Sequence, residues 1–142
     1  MKTICLFAMM LLSYVFLVGM GPLGAPGSIK VPEPAKNYAA TIVDRTDIST
    51  RVEKFSFDGQ TAISGKLGDG HVSISFDNIS SINFVLKDKT LQADVLLKDG
   101  KTVPVVVKRL TPCYGKLSYG EFKINTEDVK SITIHGLVQE KQ

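Results

Sequence analysis

The chain has 142 residues, of which 44% are hydrophobic and 22% charged, and its 17 basic residues against 14 acidic ones leave a net charge of +3. This length suits one compact domain. The charge balance is mild and forms no run of like charges, which disfavours the basic surface on which nucleic-acid binding depends, so we expect no nucleic-acid partner.

An apolar run opens the chain. Lys2 precedes it, and residues 4–20 are apolar apart from Ser13. One basic residue followed by such a stretch is typical of an export signal, so we predict a signal helix and signal peptide at residues 1–27, cleaved before Ser28. An uncleaved membrane anchor is the alternative, and residues 4–20 would then make the only membrane contact. Either way the protein is expected to be exported, to the periplasm or outside the cell.

Prolines mark the next stretch. Four of the six prolines lie at positions 22, 26, 32 and 34. A segment with so few buriable groups cannot form a core, which predicts an extended tether over residues 28–40. We place the folded domain at residues 41–136 and a polar tail at residues 137–142.

From residue 41 onward nearly every segment has the pattern of a β-strand. Apolar and polar residues alternate in short runs, and Gly, Asp and Asn separate the runs. No amphipathic helix of three turns is present, so we predict an all-β single domain of nine to ten short strands, as a small barrel or a sandwich. The run 103–107 (VPVVV) predicts a strand covered on both faces, with Pro104 at its start or on an edge.

The domain contains one stretch twice. Residues 65–84 and 115–134 align at an offset of fifty. Seven of the twenty positions are identical, namely Gly65/Gly115, Lys66/Lys116, Leu67/Leu117, Gly70/Gly120, Ile74/Ile124, Ser81/Ser131 and Ile82/Ile132. We therefore predict two tandem β-repeats, at about residues 51–86 and 91–136, that share one core. In each, the apolar spacing changes from two to three at a polar turn, which predicts a tight or 3₁₀ turn at residues 77–80.

Two Asp-Gly pairs extend this alignment upstream. Asp58–Gly59 and Asp99–Gly100 each stand between alternating runs, and both predict two-residue hairpin turns. Their offset is forty-one rather than fifty, so the second copy is predicted to carry nine extra residues around positions 108–114.

These motifs support two resemblances. The tandem LKDG and GxxxYGxFxI units are similar to a group of small exported bacterial β-proteins of undefined role. The order of glycine turn, strand, polar turn and strand resembles the end of SH3-like or Sm-like small barrels. Both resemblances imply a small β-fold, and neither implies an activity.

No set of side chains points to chemistry. Cys113 aligns with the apolar Ile63, so it is predicted to be buried, although a reactive thiol or an intermolecular disulfide is the alternative. His71 aligns with Glu121, and both are expected on an outward face, as is His135 at a strand end. The carboxylates fit turn positions. We therefore predict no catalytic, cofactor or metal site.

Two functions follow from this pattern. The first is a noncatalytic exported module that binds an envelope or extracellular protein, through an exposed strand edge or through the inserted residues and their neighbours, Arg109, Cys113, Tyr114 and Tyr119. The alternative is a small hydrolase or ligand-binding protein with a site between the repeats, using His71 and Glu121.

Overall fold

The computed structural model describes residues 29–139, so the predicted export segment and the end of the polar tail lie outside the described residues. These residues form ten strands in one antiparallel sheet, curled into a half-barrel, and two short 3₁₀ turns. The strands are β1 (Tyr38–Asp44), β2 (Ser49–Phe57), β3 (Ala62–Leu67), β4 (Gly70–Ser75), β5 (Ile79–Lys87), β6 (Thr90–Leu97), β7 (Thr102–Val107), β8 (Pro112–Leu117), β9 (Gly120–Asn125) and β10 (Val129–Leu137). The predicted all-β fold is confirmed. The 3₁₀ turns, Phe76–Asn78 and Thr126–Asp128, match the predicted change in apolar spacing.

The order of strands in the sheet relates its two halves. It runs β4-β3-β7-β6-β5-β10-β1-β2-β8-β9. We call β1–β5 the first half of the chain and β6–β10 the second half. At equal distances from the central pair β5 and β10, the sheet has a strand of one half and the equivalent strand of the other, such as β6 and β1, or β4 and β9. The hairpin β1–β2 lies between β10 and β8, and the hairpin β6–β7 lies between β5 and β3. Each half therefore completes the sheet of the other, and neither has a separate core.

The same hydrogen bonds recur in both halves. The amide of Phe76 donates to the carbonyl of Thr61 at 3.1 Å, and the amide of Thr126 donates to the carbonyl of Thr111 at 3.0 Å. Both residues of the second bond stand fifty positions after those of the first. These bonds fix each 3₁₀ turn against the connection that precedes β3 or β8.

At Gly65 and Gly115 the backbone lies close to a strand of the other half. A Cβ atom on Gly65 would lie 2.3 Å from the carbonyl oxygen of Val106, and one on Gly115 would lie 2.5 Å from the Cβ of Val52. A side chain at either place would force its neighbours to move, which gives a steric reason for glycine at the same position of both aligned segments.

The equivalence of strands extends beyond the two aligned segments, and the predicted insertion is wrong. The connections from β2 to β3 and from β7 to β8 each have four residues. The nine extra residues do not exist, because Asp58–Gly59 follows β2 whereas Asp99–Gly100 precedes β7, so the two pairs are not equivalent. Strand β2 has nine residues against six in β7, and a register shift between Glu53 and Ser56, with Lys54 at φ 49°, marks a bulge in it. The halves therefore begin at β1 and β6, at positions 38 and 90, rather than at 51 and 91.

The two Asp-Gly turns differ. Phe57 and Gln60 exchange both backbone hydrogen bonds around Asp58–Gly59, and both turn residues have positive φ, as a two-residue turn requires. At Asp99–Gly100 only the glycine has positive φ, and Leu97 bonds Lys101 across three residues. The two-residue prediction is wrong for this second turn, which is a three-residue loop that closes the β6–β7 hairpin. The first turn connects β2 to β3, which do not pair with each other.

The predicted tether is partly packed. Pro34 is buried and β1 begins at position 38, so the predicted domain start at residue 41 is too late. The Glu33 carboxylate pairs with Lys54 and with Lys116, at 3.4 Å for Lys116, and these lysines lower the pKa of Glu33. The segment just before β1 therefore lies on the fold instead of leaving it.

Strand β7 alternates instead of being covered on both faces. Val105 and Val107 are buried, whereas Pro104 and Val106 are exposed. Pro104 lies in the strand opposite Asp94, and beside it β7 pairs with β3 only at Val106. The proline therefore occupies a stretch where one side of the strand has no ladder partner.

Tyr38 anchors one end of the core and gives a prediction. The residue is buried and its partly buried hydroxyl donates to Asp77 at 2.5 Å. Burial first and the Asp77 carboxylate second raise the pKa of Tyr38 to about 12. Because the folded-state pKa lies above the unfolded value of about 10, the stabilisation is complete below pH 10 and is lost as pH rises through 12. We expect the free energy of unfolding to fall over this window less in Tyr38→Phe than in the wild type, as measured by urea titration. Equal losses would contradict this assignment.

Candidate binding edge

The sheet is open, and its two edge strands occupy equivalent places in the two halves. Strand β4 pairs only with β3, and β9 pairs only with β8, among the residues described. Each edge strand has six residues and the same sequence of burial along its length. Each therefore presents a row of backbone donors and acceptors that another strand could pair with.

The two edges differ in charge. Strand β4 (GHVSIS) carries no Lys, Arg, Asp or Glu, whereas β9 (GEFKIN) exposes Glu121 and Lys123. Lys123 also lies 5.9 Å from the centre of the Tyr114 ring. Charged residues, lysine above all, protect an edge strand against pairing with other chains. By this criterion β9 is protected and β4 is not.

An apolar cavity adjoins the unprotected edge. It measures about 550 Å³, and its apolar lining comes from β3, β4, β6 and β7. These residues are Leu67, Val72, Ile74, Leu97 and Val103, with Ser73, Asn78, Lys98 and Asp99 at the polar part of the lining. The first three belong to the first half and the next two to the second, so the cavity lies between the halves.

The two edge strands also differ in the side chain at this position. Val72 lines the cavity, and both Val72 and Phe122, fifty positions later, pack half-buried against the core. Valine is the smaller of the two side chains. Strand β4 therefore differs from β9 both in charge and in the volume of this side chain.

The residues predicted to bind a partner do not gather at one place. Arg109 lies in the loop 108–111 and pairs with Glu127 at 3.1 Å. Tyr114 is half-buried on β8, and Tyr119 is 84% exposed at the β8–β9 turn. Cys113 is fully buried in β8, so the structure does not place it on the surface with the other three.

Cys113 is predicted to be unreactive while the protein is folded. Burial raises the pKa of its thiol to about 12, with a smaller opposing effect from the Thr126 hydroxyl at 3.7 Å. The thiolate is the reactive form, so we expect modification by a disulfide reagent at pH 8 to proceed only as fast as the protein unfolds. Mass spectrometry of the Cys113 peptide separates this signal from that of Cys5. Rapid modification of the folded protein would favour the predicted alternative of an accessible thiol.

The histidines and Glu121 are also apart. His71 and Glu121 are both exposed and lie on β4 and β9, at opposite ends of the sheet order. His135 lies within β10, with its Nε2 2.7 Å from the Thr41 hydroxyl, rather than beyond the strand. Within residues 29–139 no three His, Cys, Asp or Glu side chains are grouped closely enough to hold a metal ion. Over the same range no helix has the length and apolar character needed to cross a membrane.

A family model described as "Uncharacterised protein" matches residues 34–136. The chain belongs to this family. The range that defines the family begins at the buried Pro34 and ends in β10, so it includes both halves of the sheet and the packed segment before β1. No curated protein and no solved structure was found to match the chain.

Sequence reasoning missed the difference between the edges. The difference is already present in the aligned positions 71–75 and 121–125, because uncharged residues of the first segment align with charged residues of the second. This difference in charge indicates a binding edge only if both segments are edge strands. A single sequence does not show which distant segments pair as strands.

Proposed function

We propose that this protein is a noncatalytic exported module that binds an extended segment of an envelope or extracellular protein along strand β4. The observation that carries the proposal is the contrast between two equivalent edges, one charged and one uncharged. An added strand would form backbone hydrogen bonds with β4, and its alternate side chains would enter the adjoining cavity. Export is inferred from residues 4–20.

The geometry of β4 supports this mode of binding. Val72 and Ile74 belong to the apolar part of the cavity lining, and Ser73, whose hydroxyl pairs with that of Ser64 at 3.1 Å, belongs to its polar part. A bound strand would therefore meet both apolar and polar side chains. We accordingly expect a partner segment of about six residues in which apolar and small polar side chains alternate.

A synthetic peptide tests this mode directly. The probe is a fluorescent, end-blocked hexapeptide that alternates threonine and valine, titrated with the full chain and read by anisotropy. We expect saturable binding, and a loss of at least about tenfold in affinity for Val72→Lys, because an inward-pointing charge blocks an edge strand. The matched control is Phe122→Lys at the equivalent position of β9, which should leave the affinity unchanged.

Three results would contradict the proposal. One is equal binding by Val72→Lys and the wild type, with both shown to be folded by their melting curves. Another is undiminished binding of the hexapeptide after its backbone amides are methylated, since strand addition needs those donors. The third is a molecular mass that increases with protein concentration because β4 of one copy pairs with β4 of another. The edge would then be a self-association surface.

A small apolar ligand is the second candidate, favoured by the cavity and by Lys98 in its lining. An aliphatic carboxylate would place its chain against the apolar lining and its charge near this lysine. Octanoate is the probe, and Val72→Phe should abolish its binding because it reproduces the larger side chain of Phe122. Binding of octanoate that survives this substitution would exclude the cavity as its site.

The equivalence of the halves also supports a proposal about origin. We infer that one five-strand unit was duplicated and fused, and that β4 then diverged from β9. The resemblances to exported bacterial β-proteins and to SH3-like or Sm-like barrels stay predictions, and the binding proposal does not depend on them.

A further inference from the structure

A second cavity lies at the end of the β6–β7 hairpin, away from the cavity beside β4. It measures about 440 Å³, and residues of β6, β7 and the loop 108–111 line it. The residues relevant here are Leu91, Val106, Leu110, Lys89, Lys108 and Arg109. Leu110 is 68% exposed and Val106 40% exposed, so apolar surface is uncovered among basic side chains.

Charge at this place is mainly positive. Lys66 is paired in register with Val106 and lies beside the cavity, and Lys89 and Lys108 line it. The neighbouring acidic groups are Asp88, in the β5–β6 turn, and Glu127, which is engaged with Arg109. Three lysines therefore remain around the apolar surface, and their field favours an anionic partner.

The other half of the chain shows what can occupy such a place. The counterparts of Lys66 and Arg109, fifty positions away, are Lys116 and Gly59. Pro32 lies against Gly59, with its Cβ 3.2 Å from the position of a Cβ on that glycine, and Glu33 pairs with Lys116 at 3.4 Å. The chain's own segment VPEP thus covers this position in one half.

No described segment covers the corresponding position in the other half. Strand β5 joins β6 through the two residues Asp88 and Lys89, which leaves no chain to lie over the loop 108–111. Of the two basic partners of Glu33, Lys116 has the counterpart Lys66, whereas Lys54 has Pro104 in its place. The second site therefore keeps one lysine of the first, adds Lys89 and Lys108, and has no acidic segment among the described residues.

We propose that this cavity binds an extended, acidic, proline-containing segment of a partner protein, with a charge pairing like that of Glu33 but with a shifted proline, because Arg109 replaces the glycine on which Pro32 lies. The proline would contact Val106 and Leu110, and the carboxylate would pair with Lys66, Lys89 or Lys108. Proline restricts the free segment and lowers the entropy lost on binding. This site is separate from the strand edge, so either can be correct without the other.

The chain supplies a suitable probe. It is an end-blocked, fluorescent peptide of residues 31–35 (VPEPA), titrated with the full chain and read by anisotropy. We expect saturable binding and new amide protection at residues 106–110 in hydrogen exchange. Affinity should fall at least about tenfold when the glutamate of the peptide is changed to lysine, or in the double variant Lys89→Glu and Lys108→Glu.

A charge-matched control removes non-specific attraction. Lys101→Glu with Lys123→Glu makes the same change in net charge at exposed positions away from the cavity, and should bind as the wild type does. Equal loss in the control, protection elsewhere, or no saturable binding would overturn the proposal. Protection of residues 106–110 without peptide, lost when residues 140–142 are removed, would identify the chain's own end as the occupant and would also overturn it.

Discussion

Gly65→Ala and Gly115→Ala are each expected to destabilise the protein by about 3 kcal/mol or more. A methyl group on Gly65 would meet a backbone carbonyl oxygen at 2.3 Å, and one on Gly115 would meet Val52 at 2.5 Å. Neither glycine needs positive φ, so the cost is steric and arises where β3 and β8 approach the hairpin of the other half. Urea titration gives the free energy of unfolding for each variant.

Gly120→Ala is the matched control, because a Cβ there meets nothing within 4 Å and the backbone has no positive φ. We expect a change within about 1 kcal/mol, of either sign. Val52→Ala should relieve part of the cost of Gly115→Ala, because it removes two of the contacting atoms. No substitution of Val106 should relieve Gly65→Ala, whose nearest contact is backbone. Similar values for all three glycines would contradict the close packing of the halves.

Phe76→Ala is expected to cost about 3–5 kcal/mol. Phe76 is fully buried, stacks on Phe55 at 5.3 Å, and makes edge contacts with Tyr38 at 5.3 Å and Phe57 at 5.7 Å. Aromatic pairs of this geometry contribute beyond the area they bury. The loss is measured as a fall in the midpoint of urea unfolding with its slope unchanged.

The comparison for this prediction is Phe122→Ala, at a half-buried ring on the edge strand β9. We expect a smaller loss of stability there, of about 1–2 kcal/mol, because the Phe122 side chain buries less apolar area on folding and water can fill the space that the substitution leaves. An effect at Phe122 as large as that at Phe76 would mean that the aromatic cluster around Phe76 is not the centre of the core.

Sequence could predict the elements whose pattern is local. Alternation located most strands, the change in spacing located both 3₁₀ turns, and identities such as Gly65/Gly115 revealed the recurrence at an offset of fifty. The two Asp-Gly pairs misled the alignment, because similar turn residues serve different turns. Strand β1 begins with Tyr38-Ala39-Ala40, and alanine is a weak strand former, so the predicted domain began too late.

The candidate sites depend on pairing between distant segments. That β4 and β9 are edges follows from β7 pairing with β3 and β2 with β8, and no single-sequence pattern specifies these partners. The packing of Glu33 on Lys54 and Lys116 is likewise a contact across distant positions. The predicted surface residue Arg109 does line a cavity, but for a different reason, since the nine-residue insertion does not exist.

Hydrogen exchange of the full chain, with and without the threonine–valine hexapeptide, tests the proposed function most directly. We expect the peptide to slow exchange at those amides of β4 that do not bond to β3, and to leave β9 unchanged. Equal slowing on both edges, or none on β4 at saturating peptide, would contradict the proposed function.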